Sequence, residues 1–185
     1  MNKFEYNQIE TIFRESDSPD EIFDALQSAI FKKISDINLY KILLGNPSLS
    51  RDELIMFTEK ICGVFCTLKF DLYMWLASIL ESNYEDYKNI ENSLDYYIKA
   101  FSIRPAENKS LISALDLYNY DIELPTNSNI IHFIETGIQS VDNKNEVYSK
   151  LANHYRKRGI AELFEKYKRL AAISSKGRSS NNIRL

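Results

Sequence analysis

Residues Met74–Pro105, MWLASILESNYEDYKNIENSLDYYIKAFSIRP, constrain the fold of this chain more than any other stretch. Leu76, Ile79 and Leu80 before the polar run Ser82-Asn83-Tyr84-Glu85-Asp86, and Ile90, Leu94, Tyr97, Ile98 and Phe101 after it, recur at helical spacing. The polar run between them reads as a turn, and Pro105, with no backbone N–H, ends the second helix. Two short-linked helices must bury their apolar stripes on each other and on neighbouring helices. Breakers are scarce elsewhere too: 185 residues hold 5 Gly and 4 Pro at 44% hydrophobic content, which favours long helices over many short strands.

The rest of the chain follows the same pattern. Phe4, Ile9, Ile12 and Phe13 share one face of a short first helix over 4–15. Ser18-Pro19-Asp20-Glu21 predicts a strong helix start, with a cap at Ser18, a proline at the first position, acids on the dipole and Glu21 closing a capping box. A helix through Leu39–Leu44 is expected to stop at Gly45-Asn46-Pro47, and Ser50…Glu53 forms a second capping-box signature. From Arg51 to Leu80 the periodicity runs almost unbroken, and a break is expected near Thr67–Asp71 because single helices of that length are uncommon. Further helices are predicted at 107–118 and 130–141 with a loop DIELPTNSN between them. Asn143…Glu146 then reads as a capped start leading to two helices that meet at Gly159. Residues 175–185 are expected to be a disordered tail.

Charge is unevenly spread. Overall it is −3, but from Lys144 onward there are eleven basic and three acidic residues, against 12 and 23 in the rest. An acidic body with a basic end points to an acidic protein partner or, as the alternative, a nucleic-acid backbone. Cys62 and Cys66 sit four apart, which on one helix allows a metal pair, a redox pair or two small core residues. The core reading is favoured, since His132 and His154 lie far along the chain. A polar start and the lack of a membrane-length apolar run lead to the expectation of a soluble, cytoplasmic protein with no membrane contact.

Tyr148–Leu151–Ala152–Tyr155–Gly159 and Trp75…Tyr97–Ala100…Pro105, continued by Leu111, Ala114 and Tyr118, resemble the tetratricopeptide repeat over roughly residues 70–174. The departures are a long turn at Tyr84–Tyr87, the long loop before residue 130, a second helix there without its small residue or terminal Pro, and Leu163-Phe164 where a small residue is expected. Residues 1–66 read as helical but outside the pattern. The resemblance implies an all-α, right-handed α-α superhelix, a solenoid of about four to five antiparallel helix pairs, forming one domain over 1–174. It also implies a groove that binds a protein or peptide.

If Tyr148 is the first repeat aromatic, Lys150, Asn153, Arg156 and Lys157 fall on the groove side, with His154 beside them as a ligand contact. Such cations and amides grip carboxylates in related repeats, so an acidic tail is the expected ligand. Tyr73, Ser78 and Asn119 are weaker groove candidates. His132, in IIHFIE, reads as a partly buried structural histidine. There is no Gly-rich phosphate loop, no His-Glu-His spacing and no Ser flanked by glycines, so no catalysis, cofactor or metal is expected. A non-catalytic protein-protein interaction module, acting as an adaptor, a dedicated chaperone or a stoichiometric inhibitor, is therefore the expected function. A nucleic-acid-associated regulator using the basic C-terminal end is the alternative.

Overall fold

Local signals set most helix boundaries. In a computed structural model, which describes residues 4–82 and 87–179, with side chains to 175, ten helices follow in order. They are α1 (Tyr6–Glu15), α2 (Pro19–Phe31), α3 (Ile37–Leu44), α4 (Arg51–Val64), α5 (Lys69–Glu81), α6 (Tyr87–Ile103), α7 (Lys109–Asp116), α8 (Pro125–Gly137), α9 (Lys144–Lys157) and α10 (Ala161–Ser179). No strand occurs among the described residues. The chain divides into two compact units, Met1–Ala100 and Phe101–Leu185. α10 continues to Ser179, inside the segment expected to lack structure; residues 180–185 lie outside the described residues, as do 83–86 of the expected turn.

In the first unit, Ser50 and Glu53 close the expected capping box at α4. Ser18 accepts from the Glu21 N–H at α2, but the Glu21 carboxylate takes the Ser16 hydroxyl instead of completing the box. The break after α4 falls at Phe65, slightly earlier than expected, and a single 3-10 turn over Cys66–Leu68 leads into α5. That turn separates the two cysteines: Cys62 is buried on α4 and Cys66 is exposed, so only one is a core residue. Asn46, which the sequence marks only as turn punctuation, is buried and donates to the Phe13 and Ser16 carbonyls, satisfying the open end of α1. α1 packs on α2, α4 on α5, and α3 on both α1 and α5.

Several polar side chains meet at the edge of this core. Glu59 of α4 accepts hydrogen bonds from Tyr73 (3.1 Å), Tyr96 (2.9 Å) and Lys99. Burial pushes its carboxyl up, but the bonds from Lys99, Tyr96 and Tyr73 and the Lys99 charge outweigh this and hold it below the usual carboxylate range.

In the second unit the predicted loop 121–129 is shorter than expected. Pro125 stands at the first turn of α8, where its missing N–H costs nothing, so the helix begins five residues before residue 130. Asn119 and Asn127 tie down the preceding loop. Asn127 accepts from the Asn119 N–H and donates to the Asn119 carbonyl, while Asn119 accepts from the Asp121 and Ile122 N–H groups. Asn119 is therefore a loop-shaping residue, as Tyr73 and Ser78, bonded to Glu59 and to the Trp75 carbonyl, belong to the packing of α5. Gly137 stands at a close helix approach: a Cβ there would lie 2.8 Å from Leu111 and 3.1 Å from Phe101. Phe101 in turn meets Phe133 edge to face at 5.5 Å.

Candidate functional site: the basic helix pair of the second unit

α9 forms because Val147, Tyr148, Leu151, Ala152, His154 and Tyr155 fall on one buried face. Asn143 does not cap it with its side chain; its amide turns to the Glu146 carboxylate at 3.4 Å instead. The helix ends in a Schellman turn. Ile160 donates to the Tyr155 carbonyl, Gly159 donates to the Arg156 carbonyl, and Gly159 takes φ +70. That turn folds α10 back onto α9, where Tyr167 stacks on Tyr155 with ring centroids 5.4 Å apart and planes 4° from parallel. Glu135 of α8 accepts from both hydroxyls, and the Asn145 amide donates to the Ala171 carbonyl at 2.6 Å.

The five residues expected to line one groove do not share one surface. Lys150 approaches Asp116 of α7 at 3.8 Å, both side chains being largely exposed. Lys157 lies over the Tyr120 ring at 5.1 Å. Asn153 and Arg156 are joined to each other, the guanidinium donating to the amide oxygen at 2.6 Å, and turn towards α10. His154 is 1% exposed, enclosed by Tyr118, Tyr120 and Tyr155. It is a core residue and not a surface contact, because the ring points to the α7 side of α9 rather than outward with Arg156.

Burial, then the charges of Arg158 and Lys157, hold the His154 pKa down at about 4, so the ring is neutral at physiological pH. Its Nδ1 lies 2.9 Å from the Tyr120 hydroxyl, and its Nε2 has no hydrogen-bond partner among the described residues. His132 behaves in the opposite way from its expectation. With Ile130, Phe133 and Ile134 facing inward, position 132 falls on the far side of α8 and is exposed.

Two of the cavities beside α9 bear on these residues. One, of about 600 Å³, lies between the 118–125 segment, α8 and the end of α9, and is lined by Tyr118, Glu123, Asn127, His132, Glu135 and Arg158. The other, of about 320 Å³, runs between α9 and α10. Ala152, Phe164 and Ala171 form its apolar part, and Ser149, Asn153, Arg156 and Lys168 its polar rim. The sequence marks Lys168 only as part of the basic C-terminal end and Phe164 only as a packing misfit. Their spacing of four, with the ammonium 5.2 Å above the ring, was the available signal.

Cations dominate this end. Arg156, Lys157, Arg158, Lys166 and Arg169 form no ion pair among the described residues, and Lys168 meets only its helix neighbour Glu165, at 3.5 Å. No group of three or more His, Cys, Asp or Glu side chains suited to a metal occurs among the described residues, nor any helix long and apolar enough to cross a membrane. The chain matches no protein-family model, no curated protein and no solved structure.

Proposed function

We propose that the chain is a non-catalytic protein-binding module whose partner engages the basic helix pair α9–α10. The observation that carries this reading is the set of cations on α9 and α10, Arg156 to Arg158 with Lys166 and Arg169, that lack ion-pair partners among the described residues, Arg156 among them lining an apolar groove. Unpaired surface cations steer an acidic partner, and the apolar floor holds it once docked. The packing of α7 on α8 and of α9 on α10 supports reading these pairs as repeats of a right-handed, tetratricopeptide-like solenoid. Two free thiols, one exposed, suit a reducing cytoplasmic setting. An adaptor, a dedicated chaperone and a stoichiometric inhibitor all fit such a module.

A nucleic-acid-associated regulator is the second reading, favoured by Tyr120, 45% exposed beside Lys157 and so placed to stack on a base. Affinity capture from the native lysate separates the two. A stoichiometric protein that stays bound at moderate salt and is lost from an Arg156→Glu, Lys157→Glu, Arg158→Glu variant supports the module. Recovery of nucleic acid alone, released steeply by salt, supports the regulator. Recovery of neither overturns the proposal.

A further inference from the structure

We propose that the groove between α9 and α10 seats one bulky apolar side chain of a partner segment flanked by acidic residues. This rests on the protein-binding reading above and names the chemistry of its partner. The volume, about 320 Å³, lies at the small end of ligand cavities and suits a single side chain rather than a large molecule. Its floor is apolar because Ala152 and Ala171 are small and leave the Phe164 ring open between them. Phe164 stands where the repeat pattern calls for a small residue, and its ring instead lines the groove.

Charge selects the flanks. Arg156 stands on one rim with its guanidinium oriented by Asn153, and Lys168 stands on the other above Phe164, shared only with the exposed Glu165. No acidic side chain among the described residues lines the groove. An apolar residue between carboxylates satisfies floor and rim together. A basic segment is repelled, and a nucleic-acid strand satisfies the rim but leaves the floor to a base.

The test uses the full chain and fluorescent synthetic peptides in an anisotropy titration. The probes are a short peptide with one central phenylalanine among aspartates, the same peptide with alanine at the centre, and the same with serines for aspartates. A single-stranded oligonucleotide serves as competitor. The aspartate–phenylalanine peptide should bind about tenfold or more tightly than either control. Arg156→Glu with Lys168→Glu should weaken it by a similar factor. Ser149→Trp, which fills the groove from an exposed position and keeps every charge, should do the same. Lys109→Glu, a reversal of an exposed cation on α7 outside the basic helix pair, should leave it within about twofold. No binding, equal binding of the three peptides, insensitivity to Ser149→Trp, or complete displacement by the oligonucleotide would each overturn the seat. If the lysate partner survives the groove variants but is lost with Lys157→Glu and Arg158→Glu, the protein-binding reading stands and only this seat is wrong.

Discussion

The Tyr120 hydroxyl lies 2.9 Å from Nδ1 of His154, joining an exposed loop tyrosine to a ring that is 1% exposed. This histidine is neutral in the folded chain, held at a pKa of about 4 against an ordinary 6.5. In the unfolded chain it takes up a proton as pH falls below about 6.5, while the folded chain resists until about 4. Stability is therefore complete above about pH 6.5 and falls between there and pH 4. The loss attributable to this ring is about 2 kcal/mol by pH 5 and roughly 3 kcal/mol at most. Urea titrations of wild type and His154→Gln across this range check it. The wild type should show the steeper acid loss, and equal slopes would remove His154 as the cause.

Two Schellman turns provide a matched pair. Gly159 ends α9 with φ +70, where glycine is unstrained, and Lys33 ends α2 in the same conformation with φ 55. The hydrogen bonds agree: Ile34 donates to the Ala29 carbonyl and Lys33 to that of Ile30, repeating the pattern at Gly159. A side chain in this region costs about 1 kcal/mol or more. Lys33→Gly should stabilise the chain by about 0.5–1 kcal/mol, and Gly159→Ala should destabilise it by about 1 kcal/mol. Thermal melts that moved both variants in the same direction would contradict the shared geometry.

Much of the helical order was legible because its signals are local. The Ser50–Glu53 box, the stop before Gly45 and the turn at Gly159 each depend on a few adjacent residues, and each stands where the sequence puts it. Pro125 misled because one residue type serves both as a breaker within a loop and as the first residue of a helix; only the downstream packing of Ile130 and Ile134 decides. The candidate site was half legible. Helical phase placed Lys150, Asn153, Arg156 and Lys157 on the exposed half of α9. It could not show that α10 covers one edge of that face and the 118–124 loop the other, which parts Asn153 and Arg156 from Lys157. His154 sank for the same reason, since its burial comes from Tyr118 and Tyr120, more than thirty residues upstream.

Two helical glycines should respond oppositely to alanine. At Gly63, near the end of α4, an added Cβ meets nothing within 4 Å, so Gly63→Ala gains helix propensity and should stabilise by about 0.5 kcal/mol. At Gly137 the same carbon would lie 2.8 Å from a Leu111 methyl and 3.1 Å from the Phe101 ring. Leu111 is fully buried, so its methyl can make room only by displacing packed neighbours. Gly137→Ala should then destabilise by about 1–3 kcal/mol despite its propensity gain. Equilibrium denaturation of the two variants reads the sign directly, and a stabilised Gly137→Ala would show that the packing at Phe101 and Leu111 yields.

The two thiols should separate by rate. Cys66 is exposed on the 3-10 turn, whereas Cys62 is 1% exposed on α4. Burial first, then the nearby Glu59 charge, pushes the Cys62 thiol up to about 12, leaving almost no thiolate at neutral pH. A thiol-reactive chromophore added to the native protein should therefore label Cys66 promptly and release one equivalent. The second equivalent should appear only in denaturant or as slowly as the first unit opens. Cys66→Ser should abolish the fast phase and keep the slow one. Two fast equivalents in the native protein would mean that α4 and α5 open readily around Cys62. Fast labelling that survives Cys66→Ser would place the exposed thiol on the wrong cysteine.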